Sequence, residues 1–367
     1  MSKEIKCYGC GAVIQSENVH KIGYVPKNSL EKDHILCQRC FKMKNYHVLA
    51  KSPLQADDFL KTLQEVANRD GLVVYMLDLF DFNGSQINGI HRHLMGKDLL
   101  VVVNKRDLLP KSLKTNRLIQ WIKRQLKLSG VKPKDVILTS MKNRFQLDDV
   151  FGAIEHFREG RDVFVVGSAN VGKSTLINHL IGMFSDDSQE KPLLITTSEF
   201  PGTTLDLIEI PLGDGSSIYD TPGIINSHQM THYISEDDLK LVLPTSEIRQ
   251  RVYQLNEQQT LYVGSLARFD FVSGDSCSVM CYFSNRLDVH RTKLENADGL
   301  FNRHQTLKVS IDGIDTIDQM KYYDFTLKER CDIVISGLGW FSINATNQKI
   351  RVHVPKGVTV SIREHLI

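Results

Sequence analysis

The nine residues GSANVGKST, Gly167 to Thr175, sit between the apolar run DVFVVG and the helically periodic KSTLINHLIG. They satisfy G-x-x-x-x-G-K-[ST], and a chain that places this loop between a buried strand and a helix is committed to an α/β unit. The glycines let backbone amides curl around phosphates, and the helix N-terminus adds its partial positive charge. The pattern therefore assigns Gly167, Ser168, Ala169, Asn170, Val171, Gly172, Lys173, Ser174 and Thr175 to the phosphates of a nucleotide. Lys173 is placed to bridge the β and γ oxygens, and Ser174 to ligate magnesium.

Two downstream stretches suit the same chemistry. In IYDTPG, Asp220 ends a strand and can hold the magnesium shell through a water, while the Gly223 amide can meet a γ-phosphate and sense its presence. In FPGTTLDLIEI, Thr204, or failing that Thr203, can complete the magnesium shell when the γ-phosphate is bound. Lys173, Thr204 and Gly223 are thus the expected catalytic groups.

A base-reading element precedes the loop instead of following it. Asn104, Lys105 and Asp107 of NKRD come after the β-branched run LLVVV, which points Asp107 beyond the carboxyl end of a strand, where open α/β sheets bind nucleotides. A carboxylate there accepts from the guanine N1–H and 2-amino groups. Adenine offers neither, and such mismatches cost on the order of 10⁴-fold in discrimination. Lys105 would lie along the base and Asn104 would pin the loop. Ser140, Met141 and Lys142, in LTSMK, end the next strand, with the Met141 amide in reach of the guanine carbonyl.

Strands are expected at 72–77, 99–103, 135–139, 162–166, 205–210 and 216–220, with helices near 85–95, 113–128, 146–157 and 173–182. Such alternation builds a mostly parallel sheet covered on both faces. Both motifs can serve one pocket if the usual termini were joined near FREGRD (157–162) and a new break was opened after Gly223. Circular permutation is tolerated where domain ends lie close together at the surface. In this arrangement the segment after Gly223 runs straight into the C-terminal domain, so loss of the γ-phosphate would swing that domain.

Cys7, Cys10, Cys37 and Cys40 form two C-x2-C knuckles 26 residues apart. Two such pairs fill the four positions of a tetrahedral zinc ion, leaving no open site, so the metal is structural and residues 1–53 need it to fold. Cys277, Cys281 and Cys331 fall in strand-like runs and suit a reduced core. Residues 1–53 carry nine Lys or Arg against four acids, and this excess favours a nucleic-acid contact there over the rest of the chain. No apolar run approaches the roughly 20 residues that span a bilayer, and the start carries no apolar signal region, so a cytoplasmic protein without membrane association is expected. Residues 225–367 read as a short helix capped by Ser235 followed by strands, ending in a half-buried hairpin through Val352, Val354, Val358, Val360 and Ile362.

In order, the knuckles, NKRD, TSMK, GSANVGKS, PGTT and DTPG strongly resemble the circularly permuted GTPases, and within them the YqeH group of bacterial ribosome-assembly GTPases. The motifs span about 220 of 367 residues. The resemblance implies a permuted P-loop GTPase domain at 54–224 between the zinc module and a β-rich domain at 225–367. It further implies GTP hydrolysis to GDP coupled to maturation of the small (30S) subunit, with rRNA contacts from the flanking domains and no DNA partner. Ile224 stands where many small GTPases carry a water-orienting glutamine, so slow intrinsic turnover is expected. Asn170 matches the position of a potassium-coordinating asparagine in related GTPases; its alternative role is to brace the loop. Two other functions fit parts of the pattern: a P-loop kinase or ATPase, and a zinc-dependent RNA-binding regulator with incidental nucleotide binding.

Overall fold

The computed structural model describes residues 5, 13–17, 24–26, 35, 56–142, 144–184, 196–198, 207–212, 214–221, 223–224, 226–301, 309–311 and 313–367. The four knuckle cysteines, Thr203 and Thr204 lie outside the described residues.

The first sheet is built from β1 (Leu72–Asp78), β2 (Asp98–Asn104), β3 (Asp135–Leu138), β4 (Val163–Gly167), β5 (Thr196–Ser198), β6 (Leu207–Pro211) and β7 (Ser217–Asp220), in the order β3-β2-β1-β4-β7-β6-β5. The five strands β3, β2, β1, β4 and β7 are parallel, and β6 and β5 continue antiparallel. All seven residues of β1 are buried, so this strand needs apolar side chains on both faces. Val73, Tyr75 and Leu77 point into one core; Leu72, Val74 and Met76 point into the other. Helices α1 (Ala56–Asn68) and α4 (Thr115–Leu128) cover the first face through Leu63, Val66, Leu118, Trp121, Ile122 and Leu126. Helices α5 (Arg144–Arg158) and α6 (Lys173–Phe184) cover the second through Leu147, Val150, Ile154, Leu176 and Ile177.

This order places β2, which ends at Asn104, and β4, which ends at Gly167, on either side of β1. Because the three are parallel, their carboxyl ends form one edge of the sheet. The single helix expected near 85–95 is instead two isolated turns, α2 (Phe82–Ser85) and α3 (Ile90–His93). Gly89, at φ 72°, caps the second in a left-handed conformation that a continuous helix cannot hold.

Residues 251–364 form two five-stranded sheets. One has the order β12-β9-β10-β16-β13, from β9 (Gln259–Val263), β10 (Ala267–Ser273), β12 (Val289–Lys293), β13 (Met320–Thr326) and β16 (Lys349–Pro355). The other has the order β17-β14-β15-β11-β8, from β8 (Arg251–Leu255), β11 (Cys277–Phe283), β14 (Cys331–Ile335), β15 (Gly339–Ile343) and β17 (Val360–Glu364). Phe269, Phe271, Phe283 and Phe341 fill the core between them, where Cys277, Cys281 and Cys331 are buried as free thiols. Helix α7 (Glu236–Val242) starts as expected at Ser235, whose side chain accepts from the Asp238 amide.

The terminal hairpin does not form. β16 pairs with β10 and β13, whereas β17 pairs with β14 in the opposite sheet. The chain turns through Gly357, at φ 104°, and crosses between the sheets; a β-carbon there would lie 1.9 Å from the Tyr233 hydroxyl. Alternation fixes which face of each strand is buried but not which strand it pairs with.

The two regions share a core. Tyr282, Val334, Trp340 and Leu366 join the cluster beneath α4. Trp340 stacks on Tyr282 at 4.9 Å and meets Phe80 at 5.6 Å. The Arg363 guanidinium lies 5.1 Å from Trp121 and 4.9 Å from Trp340, pairs with the buried Asp332 at 3.3 Å, and donates to Asn83 Oδ1 at 2.9 Å.

Candidate nucleotide-binding site

At the carboxyl edge of β1, β2 and β4 lies a cavity of about 490 Å³, within the usual range for small-molecule sites. Asn104, Lys105, Asp107, Ser140, Met141 and Lys142 line one part of it, and Ala169, Asn170, Val171, Gly172, Lys173, Ser174 and Thr175 line another. The two motifs that the sequence writes in inverted order therefore meet at one site.

Asn104 holds them together. Its Nδ2 donates to the Val171 carbonyl at 2.9 Å, and its Oδ1 accepts from the Met141 amide at 3.0 Å. A β-carbon on Gly172, at φ 106°, would fall 2.3 Å from that Nδ2, so the loop closes on Asn104 only with glycine there. The Met141 amide, read from the sequence as a donor to guanine, thus has its partner within the protein. Lys105 adopts φ 68° and its Nζ pairs with Asp78 Oδ2 at 2.6 Å. Asp107 accepts from Ser140 Oγ at 2.6 Å and pairs with Lys142 Nζ at 3.2 Å, leaving its side chain 31% exposed toward a ligand.

Lys173 is buried, and its Nζ donates to the Gly167 and Ser168 carbonyls, each at 2.8 Å. Burial pushes its pKa down to about 8, while the charge of Asp220 acts in the opposite direction. Ser168 Oγ donates to the Ser85 carbonyl at 3.1 Å. Asn170 takes φ 64°, which turns the loop. Gly167, Ser168, Asp220 and Gly223 are not among the residues that line the cavity; a β-carbon on Gly223 would lie 2.8 Å from Lys173 Nζ. Beyond Gly223, the Ala169 amide donates to the Ile224 carbonyl at 2.7 Å and the Ile224 amide to the Gly167 carbonyl at 3.4 Å. The DxxG exit is therefore hydrogen-bonded to the phosphate loop.

Ser174, at the start of α6, and Asp220, at the end of the neighbouring strand, offer hydroxyl and carboxylate oxygens, a hard donor set suited to magnesium. Among the described residues no cluster of three or more His, Cys, Asp or Glu side chains has the arrangement of a metal site.

The cavity also has walls that the motifs do not indicate. Asp78, Phe80, Asp81 and Ser85 come from the exit of β1; Gln229, Thr231, Leu243, Pro244, Thr245 and Gly337 come from the C-terminal part of the chain. Asp81 is 6% exposed and burial, aided by the charge of Asp78, pushes its pKa up to about 7; the Gly337 amide and the Gln229 side chain, 2.6 Å away, act against that rise. Lys142 Nζ donates to the Thr245 carbonyl at 3.1 Å. The acids at the end of an apolar strand are a signal in the sequence; nothing there marks Gly337.

A P-loop, the NKRD loop across the same cavity and a mixed sheet entered at a central strand define the class: a circularly permuted P-loop GTPase domain followed by a β-rich C-terminal region. A family model described as 50S ribosome-binding GTPase matches residues 162–263, and one described as YqeH-like, C-terminal, matches residues 276–366. The YqeH protein of Bacillus subtilis (strain 168) is 50% identical over the full length of both chains. The chain belongs to the YqeH family, and it is a GTPase. NO-associated protein 1, chloroplastic/mitochondrial, of Arabidopsis thaliana is 27% identical across 98% of this chain and 76% of its own. The structure of GNP-bound YlqF from T. maritima aligns with a TM-score of 0.32 and 24% identity, covering 50% of this chain and 66% of that one.

Proposed function

We propose that this protein is a GTP-driven switch in the assembly of the small (30S) ribosomal subunit. The observation that supports it is the shared cavity: residues of both GTPase motifs and of the C-terminal region wall the same space, so a bound nucleotide would touch the element that reports on it. In this reading Asp107 accepts from guanine, Lys105 lies along the base, and Lys173 and the loop amides hold the phosphates. Ser174, Thr204 and Asp220, the last through a water, hold magnesium, which when bound neutralises charge on the phosphates. Gly223 senses the γ-phosphate. Asn170 is the candidate ligand for potassium. Cys7, Cys10, Cys37 and Cys40 hold a structural zinc, and the zinc module and the C-terminal region contact rRNA. The protein works in the cytoplasm; among the described residues no helix is long and apolar enough to cross a membrane.

One family model is described by binding to the 50S ribosome, which gives a second reading in which the large subunit is the partner. Co-sedimentation with each separated subunit under GTP, GDP and no nucleotide decides between them. Pelleting with 30S particles that depends on GTP is expected. Preference for 50S particles supports the second reading, and identical pelleting under all three conditions rejects the switch altogether.

A further inference from the structure

We propose that the outer face of α4 and its flanking turns bind the phosphodiester backbone of double-helical RNA. Residues 111–134 contain eight of the twenty Lys and Arg found in 54–224, and no acid. The rest of that segment carries twelve basic residues against twenty-two acids, so the patch runs opposite to the charge of its own domain. All eight side chains are exposed.

Three of them have carboxylate partners: Lys123 with Asp135 at 3.5 Å, Arg124 with Glu364 at 2.7 Å, and Lys134 with Asp98 at 3.0 Å. For Lys111, Lys114, Arg117, Lys127 and Lys132, no carboxylate of the described residues lies within ion-pairing distance. Helical periodicity puts Arg117, Gln120, Arg124 and Lys127 on one stripe, at i, i+3, i+7 and i+10. The helix is 14 residues long, roughly 21 Å, and Lys111, Lys114, Lys132 and Lys134 lie in the segments that flank its two ends.

The surroundings select the partner. Insertion into a lipid surface needs a free apolar face, but that of α4 is spent on the core through Leu118, Trp121, Ile122 and Leu126. A protein partner needs an interface centre depleted in charge, and the exposed side here offers one isolated large apolar residue, Leu128. A rigid row of cations interspersed with the neutral side chains of Asn116 and Gln120 suits phosphates and ribose hydroxyls, the groups by which A-form helices are recognised. The helix is held in place from outside its own domain: Trp121 Nε1 donates to the Glu364 carbonyl at 3.1 Å, and Arg124 forms two hydrogen bonds to the Glu364 carboxylate. The inference rests on the ribosome-assembly reading only for which RNA is met in the cell, not for the surface itself.

The test uses the full chain and a mixed-sequence RNA hairpin of ~20 base pairs, with a DNA hairpin of the same sequence alongside, titrated from about 50 to 200 mM KCl. In the variant Lys114→Ala/Arg117→Ala/Lys127→Ala/Lys132→Ala, RNA affinity should fall at least about 10-fold, and the slope of log affinity against log salt should become shallower by about 3. The charge-keeping variant Lys114→Arg/Arg117→Lys/Lys127→Arg/Lys132→Arg should retain both. Unchanged GTP turnover and far-UV circular dichroism establish that the alanine variant is folded. The proposal is overturned by parental affinity and slope in the alanine variant, by a parent that does not bind the hairpin, or by equal binding and equal loss on the DNA hairpin. It is also overturned if the alanine variant loses binding to phosphatidylserine vesicles and keeps its RNA. Failure of 30S co-sedimentation with a positive hairpin result removes the assembly reading alone.

Discussion

In the proposed function, discrimination between nucleotides falls to a few atoms at the ends of two strands. Asp107 is held by Ser140 Oγ at 2.6 Å and Lys142 Nζ at 3.2 Å, so its carboxylate is oriented before any base arrives. Asp107→Asn replaces an acceptor-only group with one that also donates, which opposes the guanine N1–H and suits the carbonyl of xanthine. We expect GTP affinity to fall by about 10²-fold or more and xanthosine triphosphate to compete in its place. A competition titration that returns parental GTP preference would falsify the role given to this carboxylate. The placement of Asp107 just past the end of β2 was legible in the sequence, because that strand is spelled out in apolar residues. The hold of Asn104 on the phosphate loop was legible only as a pin of unspecified target. Its contact with Val171 spans 67 positions in the chain, and such pairings come from topology.

The element that ties the nucleotide pocket to the rest of the molecule is the exit of β1, residues 78–85. Asp78 pairs with Lys105, Ser85 receives Ser168, the Gly84 carbonyl accepts from Asn226, and Asn83 receives Arg363. The helix that the sequence pattern suggested begins only near residue 85; the exit of β1 holds instead the short turn α2, whose Asn83, Gly84 and Ser85 make three of these bonds. Asp81 lies at the centre, facing Asp78, Lys105, Gln229 and the Gly337 amide, with its pKa raised to about 7 against 3.8 for an ordinary aspartate. Between those values the folded protein keeps a proton that the unfolded chain has lost. The stability from this group is therefore fully present below about pH 4 and is lost as pH rises through about 7. Its size is on the order of 4 kcal/mol. Asp81→Asn should flatten the fall in melting temperature between pH 5 and pH 8 relative to the parent. Parallel profiles in parent and variant would mean that Asp81 titrates normally.

At the scale of the whole molecule, sequence order suggested a C-terminal domain swinging on the segment after Gly223, whereas the two regions are joined by a common core that no motif announces. Apolar runs pointed to strands among residues 260–284 and 331–364 but not to β8, β12 or β13, nor to Tyr282, Val334 and Trp340 facing out of their own sandwich and into the helices of the GTPase domain. The terminal segment was misread for the same reason: β17 belongs to the sheet that makes this contact, and its partner β14 is set by the crossing at Gly357. Trp121 and Trp340, the only two tryptophans of the chain, both lie against Arg363 at the junction. Intrinsic fluorescence therefore reports on the junction itself, while far-UV circular dichroism reports on both sheets. If the core is shared, urea unfolding followed by the two signals should give coincident transitions. Arg363→Ala leaves Asp332 buried without its cation, and should lower stability by about 3–5 kcal/mol with both signals shifting together. A fluorescence transition that moves ahead of the dichroism, in parent or variant, would show that the junction opens while each region stays folded. In that case the bonds of residues 78–85, and not the aromatic core, would have to carry any coupling between nucleotide and C-terminal region.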